Sequence, residues 1–269
     1  MPSVSSVVKL PKSLAMAPAS TGIMKMPKAS TDRELQDEII RYLTDASSQP
    51  AAVLNPSEAE KAQRFSRFLA RRYYRDRLHR AFRYSRNVSN DLPARVEDLV
   101  DSAEFDSFLS RCMLGSLLSA REVGEMAIAR LLEVKAPGPW WPELLQYEFS
   151  FFVQLATSEI DTQFKKGFPA TAKSTIVREF SWKMPALLAL FKSGQVPAED
   201  LRGRTVLLFS RTHHGKIYVV ELDATAMKVI NAANGEGDVV EIASAASIPE
   251  AHAQQILASL GEIGAVTLG

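Results

Sequence analysis

The stretch at residues 205–223, TVLLFSRTHHGKIYVVELD, contains two apolar runs separated by a short polar segment. Runs of this kind, bounded by turn residues, are typical of β-strands. The polar segment ends in His213-His214-Gly215, and Gly215 can adopt the positive φ that a tight turn requires. The stretch therefore predicts a β-hairpin with a solvated tip.

In the second predicted strand, at residues 216–222, successive side chains point to opposite faces. One face carries Tyr218, Val220 and Leu222, and the other carries Ile217, Val219 and Glu221. The pattern leaves open which of the two sets faces the core.

Strand and helix signals continue on both sides of this hairpin. STIVREFSW, at residues 174–182, predicts an earlier strand, and ATAMKVINAA, GDVVEIASAA and PEAHAQQILASLGEIG predict three later helices. The final AVTLG is short enough for one closing strand. This order is typical of a winged helix-turn-helix unit, which serves both DNA readers and peptide binders.

The charge of this unit favours peptides over DNA. Residues 229–269 contain no lysine or arginine. They contain five acids, which are Glu236, Asp238, Glu241, Glu250 and Glu262. A DNA reader needs cations to neutralise phosphates and to read base edges. Addition of an extended peptide to an open sheet edge is therefore the favoured function, and a DNA-binding transcriptional regulator is the alternative.

The segment at residues 215–268 resembles the PqqD-type RiPP recognition element, the small winged helix that holds the leader peptide of a ribosomally made natural product. The matching features are a strand ending in Leu-Asp, an Ala-Thr-Ala helix start, a Gly-rich turn before Val-Val-Glu-Ile, and a last helix running into Gly-Ala-Val. The resemblance implies a peptide that pairs with the strand and lies against the last helix. The implied contacts are Lys216, Ile217, Tyr218, Val219, Val220 and Glu221 on the strand and His252, Gln255, Ile256 and Ser259 on the helix. For Ile256, a plain core position is an equally good interpretation.

The first part of the chain is helical in pattern, up to about residue 163. We predict a flexible tail at residues 1–30, an all-helical domain at 31–163 and a winged-helix domain at 164–269, with GFPATAKS as the linker candidate. The predicted fold class is therefore α+β.

An arginine-rich run, RFSRFLARRYYRDRLHRAFRYSR at residues 64–86, contains nine arginines and one acid. Its apolar residues form two stripes on nearly opposite sides of a helix. The first stripe is Phe65, Phe68, Leu69 and Tyr73, and the second is Tyr74, Leu78, Ala81 and Phe82. Either the helix has different neighbours along its length or it breaks near Asp76. Because residues 87–111 carry six acids, we expect ion pairs across helices rather than nucleic-acid binding.

The chain has no recognisable catalytic motif: Gly-x-Ser-x-Gly, a phosphate-binding glycine loop and His-Glu-x-x-His are all missing. A solvated turn is favoured over a metal ligand pair for His213 and His214. His79 is interpreted as a helix-packing residue. Glu148, which lies among aromatic residues, is expected to pair with an arginine of the run. No catalytic, cofactor-binding or metal residue is predicted.

Cysteine usage and hydropathy favour a cytoplasmic protein. Cys112 is the single cysteine, so no intramolecular disulfide can form, and we expect a buried thiol. No segment offers a secretion signal or the ~20 apolar residues that a membrane span needs.

The segments FLARRYYRDRLHRAFRYS, VEDLVDSAEFDSFL and WWPELLQYEFSFFVQLATSE resemble the N-terminal domain of partner proteins that accompany multinuclear non-haem iron enzymes. Such partners act in 3-thiaglutamate-like and methanobactin-like pathways. The resemblance implies a non-catalytic subunit that forms a heterodimer with the iron enzyme and presents a carrier peptide. The enzyme, which holds the iron, would excise the β-carbon of the peptide's C-terminal cysteine. A peptide-modification chaperone of a methanobactin-like pathway is the less specific alternative, and no membrane or nucleic-acid partner is expected.

Overall fold

The computed structural model describes residues 56–88, 95–133, 135–158, 167–195 and 201–268. The predicted tail at residues 1–30, the helix starts near residues 31 and 91, and the domain boundary at 163–164 lie outside these residues. Within them, helices combine with small antiparallel sheets, which confirms the α+β class.

The helical part contains five α-helices and one 3₁₀ helix among the described residues. They are α1 Pro56–Ala81, α2 Arg83–Val88, the 3₁₀ helix Val96–Asp101, α3 Ala103–Leu109, α4 Leu117–Leu132 and α5 Trp141–Ala156. Serine side chains begin two of them by accepting free backbone N–H groups: Ser102 accepts from Phe105 N, and Ser116 accepts from Ser119 N.

The C-terminal part contains the predicted strands and helices, with two additions. Its elements are β1 Ala170–Thr171, β2 Ile176–Trp182, α6 Met184–Lys192, β3 Arg202–Arg211, β4 Ile217–Glu221, α7 Ala224–Ala232, α8 Val239–Ala246, α9 Glu250–Glu262 and β5 Val266–Thr267. Strand β1 and helix α6 have no counterpart among the predictions. The linker candidate at residues 167–174 contains β1, which pairs with the closing strand β5.

Strands β2, β3 and β4 form an antiparallel sheet in that order, with β4 at one edge. The β3–β4 hairpin turns at His213-His214, and Gly215 has a φ of 82°, as predicted. The Gly215 N–H donates to the Thr212 carbonyl at 2.8 Å and closes the turn.

Both faces of this sheet are covered, which answers the question that the alternation of β4 leaves open. Helix α5 packs across all three strands on one face, where Val219 joins the core of the helical part. On the other face, Val220 joins a core formed with α7, α8 and α9. The continuous apolar run Val206-Leu207-Leu208-Phe209 in β3 alternates between the two cores.

Helix α1 does not break near Asp76; it continues to Ala81, and a bend at Phe82 separates it from α2. Its second stripe, from Tyr74 to Phe82, is at most 3% exposed, whereas Phe65 and Phe68 in the first stripe are 62% and 55% exposed. The two stripes therefore differ because only the C-terminal half of α1 is enclosed by other helices.

The arginines of α1 form the predicted ion pairs with the acidic segment that follows. Arg71 pairs with Asp106 and donates to the Val100 carbonyl at 3.1 Å, and Arg75 binds Asp101 at 2.7 Å. Cys112 is buried, as predicted.

The packing role assigned to His79 is wrong. Its side chain is 57% exposed, and Nδ1 lies 3.1 Å from Glu97 Oε1. The reason is position: His79 lies on the flank of α1 beside the 3₁₀ helix, not on the buried stripe. Among the described helices, none is long and apolar enough to cross a membrane.

Candidate functional site

The open edge of β4 is the feature of the sheet that another chain can use. Leu222 N donates to Val206 O at 2.9 Å, and Lys216 O accepts from Thr212 N at 2.9 Å, so the even-numbered residues bond to β3. Backbone groups alternate between the two edges of an antiparallel strand. The N–H and C=O groups of the odd-numbered residues therefore point away from β3, and no strand pairs with them in the described part of the chain. These residues are Ile217, Val219 and Glu221.

The predicted strand contacts occupy three environments. Ile217 and Val219 are half-buried on the face covered by α5, where Glu221 is exposed at the strand's end. Tyr218 and Val220 are half-buried on the opposite face. Lys216 is exposed at the turn end, and its ammonium lies 4.6 Å from the centroid of the Tyr218 ring.

The predicted helix contacts share one flank of α9. His252, Gln255 and Ser259 are exposed, and the Ser259 hydroxyl donates to the Gln255 carbonyl at 3.0 Å. Ile256 is half-buried and packs on the same C-terminal core as Val220, so it is partly a core residue, as its alternative interpretation holds. The two predicted sets therefore reach the same core from β4 and from α9.

A small apolar cavity of about 220 Å³ lies on the other flank of α9. Its lining residues are Gly167, Pro169, Val239, Gln254, Leu257 and Leu268. None of the ten predicted contacts is among them, so this cavity is separate from the candidate peptide edge.

Several acids of the C-terminal part are helix caps. The Asp223 carboxylate accepts from Ala226 N at 2.7 Å and begins α7. Asp238 and Glu241 form a capping box at the start of α8, with bonds of 2.9 and 3.0 Å. These three acids therefore stabilise the starts of α7 and α8.

Glu148 is fully buried in α5, and its expected arginine partner is replaced by backbone amides. Oε1 accepts from Tyr84 N at 2.6 Å and from Ser85 N at 3.1 Å, which begins α2 after the bend at Phe82. Burial raises the pKa of the carboxyl to about 7, although these bonds and the charge of Arg83 oppose the rise. The bend between α1 and α2 leaves these N–H groups without helical partners, and they donate to Glu148 instead.

The histidines at the hairpin tip are both exposed, with ring centroids 3.6 Å apart. In the described ranges, no three His, Cys, Asp or Glu side chains are grouped to hold a metal ion.

Sequence reasoning missed the part that α5 plays beside the candidate edge. The Tyr147 ring lies 5.4 Å from the Phe209 ring of β3, and Phe151, one turn later, packs half-buried on the same core. The signal was available: aromatic residues four apart in QYEFSFFVQL share one helix face.

Comparisons of the chain with protein-family models and with curated protein sequences found no match.

Proposed function

We propose that this chain is a non-catalytic subunit that binds the leader or carrier peptide of a ribosomally made natural product. The peptide adds to β4 as a further antiparallel or parallel strand. The single observation that carries the proposal is the open edge of β4, where the backbone groups of Ile217, Val219 and Glu221 point outward.

Strand addition supplies generic affinity, because each backbone hydrogen bond contributes only about 0.5–1.5 kcal/mol net. Selectivity then comes from side chains that enter the spaces on either side of the new strand. His252, Gln255 and Ser259 are exposed on the flank of α9 that carries Ile256, and Ile256 packs on the same core as Val220, which supports α9 as one border of that space. The antiparallel strands β2, β3 and β4, with α6 between the first two, are followed by three helices and a closing strand, and this order supports a winged-helix recognition element.

The second half of the proposal concerns the partner. The helical part resembles the partner proteins of multinuclear non-haem iron enzymes, so the peptide is presented to such an enzyme in a heterodimer. The iron belongs to that enzyme, which excises the β-carbon of a C-terminal cysteine in a 3-thiaglutamate-like pathway.

A reconstituted reaction tests both halves. The chain, the iron enzyme and the carrier peptide are co-expressed, and mass spectrometry measures modification of the terminal cysteine. Val219→Pro removes one outward N–H donor without removing a β3–β4 hydrogen bond, and we expect it to abolish peptide binding and modification. Val219→Thr keeps the N–H and the β-branched shape, and we expect it to retain most of the binding.

Two results would overturn the proposal. One is equal peptide affinity for wild type and Val219→Pro when circular dichroism shows that the variant is folded. The other is turnover, or stoichiometric iron, in the isolated chain. A steep fall of binding to duplex DNA with added salt would favour the transcriptional regulator instead.

A further inference from the structure

The open edge of β4 faces the same side of α5 as the arginine-rich helix α1, so α5 lies between α1 and the sheet. At the opposite edge of the sheet, Arg178 of β2 packs over the Phe149 ring and donates to Ser150 Oγ at 2.8 Å. Phe149 in turn packs against Gly124 of α4, where an added Cβ would lie 2.7 Å from its ring. The β2 edge is therefore on the α4 side of α5. The β4 edge is consequently on the α1 side.

Contacts at both ends of α5 support this arrangement. At its C-terminal end, Arg77 of α1 donates to the Leu155 carbonyl, and Arg211 of β3 donates to the Gln154 carbonyl, each at 3.1 Å. Nearer its N-terminal end, the Tyr147 ring lies 5.4 Å from Phe209 of β3 and 6.5 Å from Tyr84 of α2. Helix α5 thus forms a floor between the sheet and the α1–α2 segment.

This floor is apolar, and its outer wall is basic. Tyr147, Phe151 and Leu155 are half-buried on α5. Arg80 and Arg83 are exposed on the α1–α2 segment. Arg80 is three residues after Arg77, so the two share a flank of α1. Arg83 donates to the Tyr84 hydroxyl at 2.8 Å, and the Tyr84 ring lies 6.5 Å from that of Tyr147. In the described residues, Arg80 has no ion pair, so its charge is not neutralised there.

The α9 side of the same edge has the opposite character. Residues 229–269 carry no lysine or arginine, and Glu250 and Glu262 lie at the two ends of α9. Lys216, near the turn, adds one cation on the face of Tyr218. A peptide paired with β4 therefore meets a basic, aromatic wall on one face and a neutral to acidic wall on the other.

We infer that the bound peptide is acidic and contacts this chain on both of its faces. Its acidic side chains lie at alternate positions, opposite Ile217 and Val219, and face α1. This inference rests on the proposed strand addition and adds the chemical class of the peptide. A peptide residue opposite Glu221 is neutral or basic, because that carboxylate is exposed on the same face. The helical part is thereby a specificity element of the peptide site.

The test selects ligands without knowledge of the natural peptide. A displayed library of randomised ten-residue peptides is selected on the full chain, with removal of binders that also retain Val219→Pro. We expect the selected peptides to carry Asp or Glu at two positions separated by one residue. One such peptide, fluorescein-labelled, is then titrated by anisotropy against wild type, Arg80→Glu and Arg72→Glu.

The charge reversal at Arg80 should weaken the acidic peptide about tenfold, because attraction becomes repulsion at the rim of the site. A version of the peptide with lysine in place of the acids should prefer Arg80→Glu over wild type. Arg72 is also exposed on α1 but turned away from α5, so Arg72→Glu should leave the affinity unchanged. Circular dichroism confirms that both variants are folded.

Peptides that depend on β4 but lack alternate acids, or equal effects of the two charge reversals, would overturn this inference and leave strand addition intact. A library that yields no peptide sensitive to Val219→Pro would overturn strand addition itself, and the inference with it.

Discussion

Acids of the helical part and acids at the helix starts of the C-terminal part find their partners at very different distances in sequence. In the helical part, Arg71 reaches Asp106, and Glu148 reaches the backbone of Tyr84 and Ser85. In the C-terminal part, Asp238 and Glu241 bond each other's backbone within one turn. Glu148 and Asp106 therefore hold separate elements together, whereas Asp238 and Glu241 begin a single helix.

Among the changes that test this contrast, removal of Glu148 should cause the largest loss of stability. Glu148→Ala leaves two buried N–H groups without an acceptor at the start of α2, and we expect a loss of about 3–5 kcal/mol in the free energy of unfolding. Glu148→Gln keeps an acceptor oxygen and should lose less. Urea denaturation measures both; an equal loss for the two variants would mean that the backbone acceptor does not matter.

The Glu148 carboxyl should also make the free energy of unfolding depend on pH. The folded-state pKa of about 7 lies above the ordinary value of 4.5, so between these values the folded chain binds more protons than the unfolded one. The contribution of Glu148 is therefore fully present below pH 4.5 and is lost as pH rises through about 7, with a size of about 3 kcal/mol. The difference in unfolding free energy between wild type and Glu148→Gln, measured from pH 5 to pH 8, should fall with pH; a flat difference would contradict the assignment.

A local cap should matter less. Asp238→Ala removes the acceptor for Glu241 N at the start of α8, and we expect a loss of about 1 kcal/mol. Asp238→Asn keeps an oxygen acceptor and serves as the matched control. Thermal unfolding of the three proteins checks the order, and a loss as large as that of Glu148→Ala would erase the contrast between the two parts.

The smallest effect should come from a long-range pair that is exposed. Arg75 and Asp101 are 45% and 59% exposed, so Arg75→Ala should cost below about 1 kcal/mol. The same loss should appear in Asp101→Ala and should not add in the double variant, as a double-mutant cycle would show. This result would sharpen the comparison, because it makes burial, and not sequence distance alone, the factor that decides the energy.

Much of the C-terminal part could be predicted from sequence because its signals are local. The turn at Gly215, the strands around it and the caps of α7 and α8 all depend on residues within a few positions. Helix α6 is the exception: MPALLALFK is short and mostly apolar, so it has no clear period by which to distinguish a helix from a strand.

The parts that could not be predicted depend on distant residues. Alternation along β4 identifies two faces but cannot say that α5 covers one and that the core of α7, α8 and α9 lies on the other. The exposed Phe65 and Phe68 fit a helical stripe as well as the buried Leu78 does, because a pattern reports spacing and not enclosure. The sequence predicts an arginine partner for Glu148. The backbone N–H groups that donate to it become free only at the bend at Phe82, and a sequence pattern does not reveal that bend.

The sheet that serves two cores at once limits how this molecule can be divided. A fragment beginning at residue 167 would expose Leu207 and Phe209 to water, and a fragment ending before it would leave α5 without the strands it packs against. A fragment that begins at residue 167 would need polar replacements on that face to stay monodisperse. An engineered chimera that exchanges the C-terminal part should therefore carry α5 with it, so its crossover point lies ahead of Trp141 instead of at the strands.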